Sequence, residues 1–544
     1  MYLYFYLISF SFLGYGILTN KLLNIKTSCF GILGLLGITF LTLISYSSTL
    51  FFAHNYFFNS FIIILGIILF VIFFNDLKNT KKEFFLFFIF FSILLIFISV
   101  AKNHDDFPYY HFPYISILNE FSHPVGLGQL NNGFRSPSSI FFLSSLFYLP
   151  KIDHYLFHTS SAFIMGFSNI LLLKIIFDKK TFNDLKFLNF LGLFTFCLIN
   201  IFFYRLSEHG TDRSGMIIVL ISIIYLLKMI NLYREESSFD YSNLFKLFAI
   251  FICFVVSIKP FYLIYLSFFI LVFIHKNIRK IFLDLLFTKT FYYCFIFLFF
   301  TVFFTFINSA CLIFPIEKTC FENLDWSIGN SNISDTKIWF ELWSKAGATP
   351  TKVVEDRVLY ISNFNWLTNW IEIYFFNKIL DYLLGLMVLS VIVFSLFYKR
   401  NLIIETSKIE YKLVYLIIFL FFIEWFLNHP TLRYGGYHII ALIFFIPVCV
   451  YLQRLQIDYK VFAKKTLILV IISIVAFFGR NVSRLNKEIK LYNYNPVNDL
   501  NYKYIGGDKN FYFRYTNHIN KHLNQFRKIN IIGKEFLIIT LKEN

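Results

Sequence analysis

Charged residues are scarce: Asp, Glu, Lys and Arg make up 15% of the 544 positions, where a water-soluble domain carries about 25%. That deficit excludes a chain whose whole surface meets water, and with it soluble enzymes, nucleic-acid modules and disordered scaffolds. No Walker loop, dinucleotide fingerprint, nucleophile elbow or His/Cys zinc spacing occurs, so nucleotide-driven and covalent-hydrolase chemistry have no motif to stand on. No internal repeat of the kind that marks inverted-repeat transporters is present either. The first apolar segment lacks a basic leading region and is followed by Lys21 and Lys26, so it reads as a span with an outward N-terminus and not as a cleaved signal peptide.

What the chain has instead is apolar bulk: 58% hydrophobic residues, 78 Phe among them, and a mean hydropathy of +0.65. The excess falls in runs near the ~17 to 25 residues needed to cross a bilayer. These runs lie at about 2–19, 29–52, 58–74, 84–100, 155–177, 188–204, 214–231, 245–258, 261–275, 291–308, 376–397, 411–427, 439–452 and 466–478. The fold class expected is therefore all-α, a polytopic membrane protein with about 12 to 14 transmembrane helices. The pair 245–258 and 261–275 is short, and Lys259-Pro260 breaks it into a hairpin.

Orientation follows from Lys and Arg in the short loops. Alternate loops, at 20–28, 75–83, 178–187, 232–244, 275–290, 398–412 and 453–465, hold 21 of them, and the opposite short loops hold 4. The first set is expected to be cytoplasmic, which leaves 101–154, 309–375 and a tail from 479 to 544 outside. The organisation expected is a transmembrane domain over 1–478, with those two long loops, followed by a small soluble tail over 479–544. The parity requires that 138–150, the thirteen residues that follow Pro137 and end on Pro150, lie in the outer interface without crossing. The net charge of +17 then reflects loop composition and an AT-rich codon bias more than a nucleic-acid partner.

Five cysteines lie in apolar segments and read as small buried hydrophobes. Cys311 and Cys320 share the second outer loop; in an oxidising compartment a disulfide between them is expected, the alternative being two free thiols.

Three polar clusters carry the chemistry. Asn103-His104-Asp105-Asp106-Phe107-Pro108-Tyr109-Tyr110-His111-Phe112-Pro113 follows the fourth span; its carboxylates suit hydroxyl deprotonation or metal binding, and equally a turn and helix cap on a wet loop. A second acidic loop, Arg205 to Arg213, carries Glu208, His209 and Asp212 on the same expected side, which is what a shared metal or hydroxyl-activating site needs. Its plain alternative is a solvated connector with snorkelling arginines. The third, Asn428 to His438, offers Arg433 beside Gly435-Gly436; an arginine fork suits phosphate oxygens, and also anchors a helix at an interface. Lys259 is a further outward cation, either for a lipid phosphate or as a helix-end snorkel. Five tryptophans, Trp326, Trp339, Trp343, Trp366 and Trp370, gather in the second long loop, as an interfacial belt or as platforms for sugar rings.

The first cluster resembles the Asp-x-x-x-Tyr-His-x-Pro signature in the first periplasmic loop of bacterial C-type glycosyltransferases, with Asp106, Tyr110, His111 and Pro113 at its fixed positions. The segment from Cys311 to Phe321 also resembles one from an uncharacterised bacterial membrane family thought to belong to that superfamily. The resemblance implies an inner-membrane enzyme whose active face is periplasmic. Its partners would be the bilayer, a sugar donor linked to polyprenyl phosphate, and an envelope glycan or glycolipid acceptor in polysaccharide biosynthesis. By position it implies Asp106 as base, Asp105 as its neighbour, and Glu208 or Asp212 as second acid. Tyr110, His111, His209, Arg213, Lys259 and Arg433 would be substrate-binding, and a divalent cation such as Mg or Mn is permitted without being required. Three spans precede the helix leading into this loop, where many relatives have none. The competing readings are a glycan ligase or polymerase resting on Arg and His, and a lipid-linked-sugar flippase.

Overall fold

The computed structural model describes residues 1–77, 80–100, 106–207, 210–232, 238–274, 279, 282–284, 286–349, 353–398, 409–497, 527–531 and 534–539. Among them ten helices are long and apolar enough to cross a bilayer: Tyr2–Leu22, Phe30–Thr49, Lys81–Ser99, Lys179–Phe202, Gly210–Asn231, Tyr241–Ile258, Lys289–Ser309, Leu367–Phe397, Gly436–Gln453 and Tyr459–Tyr492. Shorter apolar helices, Tyr56–Ile72, Ser160–Ile176 and Pro260–Phe269, lie between them, as does Lys412–Asn428. The protein is a polytopic helical membrane protein. Helix is the form that satisfies every backbone donor and acceptor inside the segment, which an apolar solvent demands.

The loops sort to two ends. At the basic end Lys21 pairs with Asp76, the Phe30 amide donates to Glu83 Oε2 at 2.9 Å, and Lys246 Nζ donates to the carbonyls of Leu23 and Asn24 at 2.9 and 3.1 Å. Lys186 Nζ donates to the Leu455 carbonyl at 3.0 Å, and Tyr459 OH to that of Phe177 at 2.7 Å. At the other end the His54 amide bonds the Leu118 carbonyl at 2.8 Å, the Gly126 amide that of Ile307 at 2.7 Å, and Trp370 Nε1 that of Pro430 at 2.6 Å. These bonds join loops that the charge count assigns to the same side.

Close packing replaces the hydrophobic effect between helices in lipid, so small residues sit where backbones meet. A Cβ at Gly14 would overlap the carbonyl oxygen of Gly66, one at Gly16 that of Leu33, and one at Gly37 that of Phe12. The first three helices therefore touch along glycine. Deeper in, Asn169 and Asn200 exchange amide hydrogen bonds at 2.8 and 3.2 Å, each satisfying the other's buried group.

Three features differ from the sequence expectation. Within 138–150, helix Ser139–Ser145 presents no face to its surroundings and is buried on every side by protein. Its backbone is satisfied by protein, Asn59 and Asn119 both donating to the Ser145 carbonyl, at 2.8 and 2.7 Å. The helix after the second long loop begins at Leu367 and not near 376, with Trp366 and Trp370 buried against Phe426 at its start. The last helix does not stop at 478 but runs to Tyr492, 34 residues or about 50 Å at 1.5 Å per residue. The Lys259-Pro260 break is present, and the arm after it is 3-10 helix from Pro260 to Phe269; a rise of about 2 Å per residue lets ten residues cover ~20 Å.

Past that last helix, Tyr494 OH donates to the Ser99 carbonyl at 2.8 Å. The two antiparallel strands Arg527–Ile531 and Lys534–Ile538 follow. The Ile539 amide then bonds the Val125 carbonyl at 3.0 Å, so the tail returns to the first long loop. In the second, Cys311 and Cys320 are joined by a disulfide.

Candidate functional site

Four charged residues from four distant segments meet at the end of the bundle that carries the long loops. Asp106 stands just before a π turn, Phe107–His111, at the foot of the first loop. Asp212 lies in the first turn of the helix beginning at Gly210. Lys259 closes the helix Ser238–Ile258, where Pro260 cannot continue it. Arg433 sits in the 3-10 turn Leu432–Tyr434, released into the next helix by Gly435 at φ +96°, a left-handed conformation that glycine takes without steric cost.

Arg433 is the hub. Its Nη2 donates to Asp106 Oδ2 at 2.8 Å and its Nε to Asp212 Oδ2 at 2.6 Å. Lys259 Nζ holds the other oxygen of Asp212. Tyr110 OH donates to Asp106 Oδ2 at 3.2 Å, and Tyr262 OH to the backbone carbonyl of Asp212 at 3.2 Å. Exposure separates the two acids: the Asp212 side chain is 3% accessible and that of Asp106 36%. Asp212 is thus the buried anchor and Asp106 the carboxylate at the mouth.

Burial alone would lower the Arg433 guanidinium, but Asp212 and then Asp106 outweigh it and hold the cation well above its ordinary value. For Lys259 burial prevails and pushes the ammonium below its ordinary value, with Asp212 opposing. Burial raises the Tyr110 phenol well above its usual value, with Asp106 adding to the shift, which keeps it a donor to that carboxylate.

Of the residues singled out in the sequence, Asp106, Tyr110, Asp212, Lys259 and Arg433 come together here. Asp105, Glu208 and His209 lie outside the described residues. Arg213 is placed differently: its guanidinium lies between the rings of Phe203 and Tyr437, 4.3 and 3.9 Å from their centroids, stacked on both faces. His111 lines a small pocket with Phe141, Ser161 and Thr211. About 20 Å³ is open there to the centre of a water molecule, enough for one or two waters and too little for a sugar ring. Trp366 and Trp370 are buried, with Lys345 Nζ 5.4 Å from the Trp366 ring, and serve as core; Trp343 keeps an exposed face.

A divalent cation fits the described donor set poorly. Among the described residues no three His, Cys, Asp or Glu side chains gather as ligands, and Asp106 and Asp212 already face two cations that a metal would have to displace.

Sequence reasoning missed the bracing of the second acidic loop. Arg480 Nη1 donates to the Ile201 carbonyl at 2.7 Å, and Arg484 Nη1 to Ser207 Oγ at 3.4 Å while its Nε pairs with Glu488 at 2.7 Å. The i, i+4 spacing of Arg484 and Glu488 was the available signal, hidden by reading that stretch as a soluble tail.

A protein-family model described as "Domain of unknown function (DUF8201)" matches residues 1–441, and the chain belongs to that family. The match ends eight residues beyond Arg433, so all four charged residues fall within it. No curated protein and no solved structure matches the chain.

Proposed function

We propose that this member of the family is an integral-membrane glycosyltransferase similar to the C-type superfamily. It would take a sugar from a polyprenyl-phosphate carrier and give it to an envelope glycan or lipid at the periplasmic face of the bacterial inner membrane. The observation that supports this reading is the meeting of Asp106, within its Asp-x-x-x-Tyr-His-x-Pro sequence, with Arg433 and Lys259 around Asp212. A half-exposed carboxylate beside two held cations is the minimum set for this transfer.

The acceptor hydroxyl oxygen bonds to the anomeric carbon, and its proton passes to Asp106. The bond from that carbon to the carrier's phosphate oxygen breaks, and its electron pair stays on the phosphate. Arg433 and Lys259 stabilise that anion, so no general acid is needed at the leaving oxygen. Asp212 holds the two cations in place. A count of twelve to fourteen spans belongs to the same reading, the shorter helices joining the ten long ones.

Two observations weigh on the alternatives. The cluster lies at the end of the bundle, whereas a flippase would place ionisable groups near mid-membrane. Arg433 bonds both acids, which favours the ligase or polymerase as the second reading, since that chemistry leans on arginine. Transfer assays with a panel of polyprenyl-phosphate sugars separate the two. Asp106→Asn is expected to lose roughly 10² to 10⁴-fold in rate, and Arg433→Ala to raise the donor KM more than it lowers kcat. Wild-type transfer by Asp106→Asn together with a dead Arg433→Ala would exchange the first reading for the second.

A further inference from the structure

As the chain stands, the base proposed above is tied to a cation. Asp106 gives one oxygen to Arg433 Nη2 and to Tyr110 OH, and a carboxylate so paired is a poor proton acceptor. Among the described residues of the cluster two acids face two cations, so an anion arriving from outside finds both cations already matched. One of the existing pairs has to yield.

The geometry says which. Asp212 is 3% exposed, is held by Lys259 as well as Arg433, and has its backbone fixed by Tyr262. Releasing it would strand a buried charge, which is the costly way to break an ion pair. Asp106 is 36% exposed and paired with a guanidinium that is itself 29% exposed, and a pair that water reaches is held only weakly. Arg433 carries five N–H donors in a fixed planar fork, and a phosphate takes two of them in parallel where Asp106 is bonded through one. Arg433 and Lys259 converge on Asp212 from either side, so an anion that meets Arg433 also meets the ammonium.

We infer that a phosphate headgroup exchanges with Asp106 on Arg433, so that binding of the donor unmasks the base. This rests on the carrier reading above and adds an order to it: donor first, acceptor second. Before exchange Asp106 faces a cation; afterwards it faces the anion that replaced it, and a carboxylate beside an anion takes a proton more readily. The Asp212 side of Arg433 stays fixed throughout, so the guanidinium need not move to trade partners.

The exchange predicts that Asp106 competes with the ligand, which sets it apart from a group that merely contacts it. Binding is measured on the purified full-length protein in nanodiscs, with farnesyl phosphate, inorganic phosphate and farnesol as probes. Asp106→Asn keeps size and most hydrogen bonding and should bind farnesyl phosphate roughly 2- to 5-fold tighter than wild type, the fold-change equivalent of a half-exposed pair. In an Arg433→Gln background the same substitution should change affinity by less than about 1.5-fold, because the competed partner is gone. Unchanged or weaker binding by Asp106→Asn overturns the exchange and leaves the carrier reading standing, and so does equal tightening in both backgrounds, which would report only lost negative charge. Wild-type protein that binds farnesyl phosphate no better than farnesol removes the carrier site and the exchange with it. Equal affinity for inorganic phosphate supports the exchange while overturning a lipid as the source of the headgroup.

Discussion

Two aspartates bonded to one arginine do different work because water reaches only one of them. Asp212, at 3% exposure, neutralises Lys259 and Arg433, and its loss leaves two cations facing each other in a poorly hydrated corner. Asp212→Ala is expected to destabilise the protein by about 2 to 3 kcal/mol, less than the full cost of breaking a buried pair because both cations keep some water contact. Asp106→Asn should cost under about 1 kcal/mol. Thermal unfolding of the two variants in detergent, followed by circular dichroism, checks the difference, and equal losses would mean that exposure does not separate the acids. Asp106 and Arg433 were legible as candidates from residue type and motif. Arg213 was not separable from Arg433 by those criteria, since only the surrounding rings decide that one guanidinium is packed and the other shared.

At the scale of helices, glycine has two opposite meanings in this chain. Gly37 faces the backbone of the first helix, where an added methyl would strike the Phe12 carbonyl oxygen, and the helices must part to admit it. Gly479 lies in the last helix with nothing within 4 Å of an added Cβ, so it costs backbone freedom and gains no contact. Gly37→Ala should therefore destabilise by roughly 1 to 3 kcal/mol, and Gly479→Ala should stabilise by about 0.5 to 1 kcal/mol. The same unfolding measurement gives the sign of each, and a stabilised Gly37→Ala would refute close backbone contact between the first two helices. The element most poorly read from sequence was Ser139–Ser145. Its apolar run fits an interface as well as an interior, and donors from other segments, Asn59 and Asn119 to the Ser145 carbonyl and Ser45 to that of Phe142, are what allow the burial.

For the whole molecule, the two ends are distinguished by charge, and the contacts between loops respect the same division. The expected orientation puts Arg357 outside and Lys180 inside; both side chains are exposed. With the five unpaired cysteines replaced, Arg357→Cys should react with an impermeant maleimide on intact spheroplasts, and Lys180→Cys only after permeabilisation. Labelling of position 180 in intact spheroplasts would invert the expected topology, and with it the proposed periplasmic placement of the charged cluster.

The sequence by itself determined that the chain is a helical membrane protein, where it breaks at Lys259-Pro260, and which loops share an end. Each of these follows from the transfer free energy of a contiguous run or from the backbone limits of one residue, and such quantities add up along the chain. Only the tertiary structure decided that Arg433 joins two acids 221 and 327 positions away, that Asp212 is the sheltered one, and that the last helix runs on to brace the second acidic loop. Those facts depend on which helices pack together and how deeply, and a pairing between distant segments leaves no local mark in either of them.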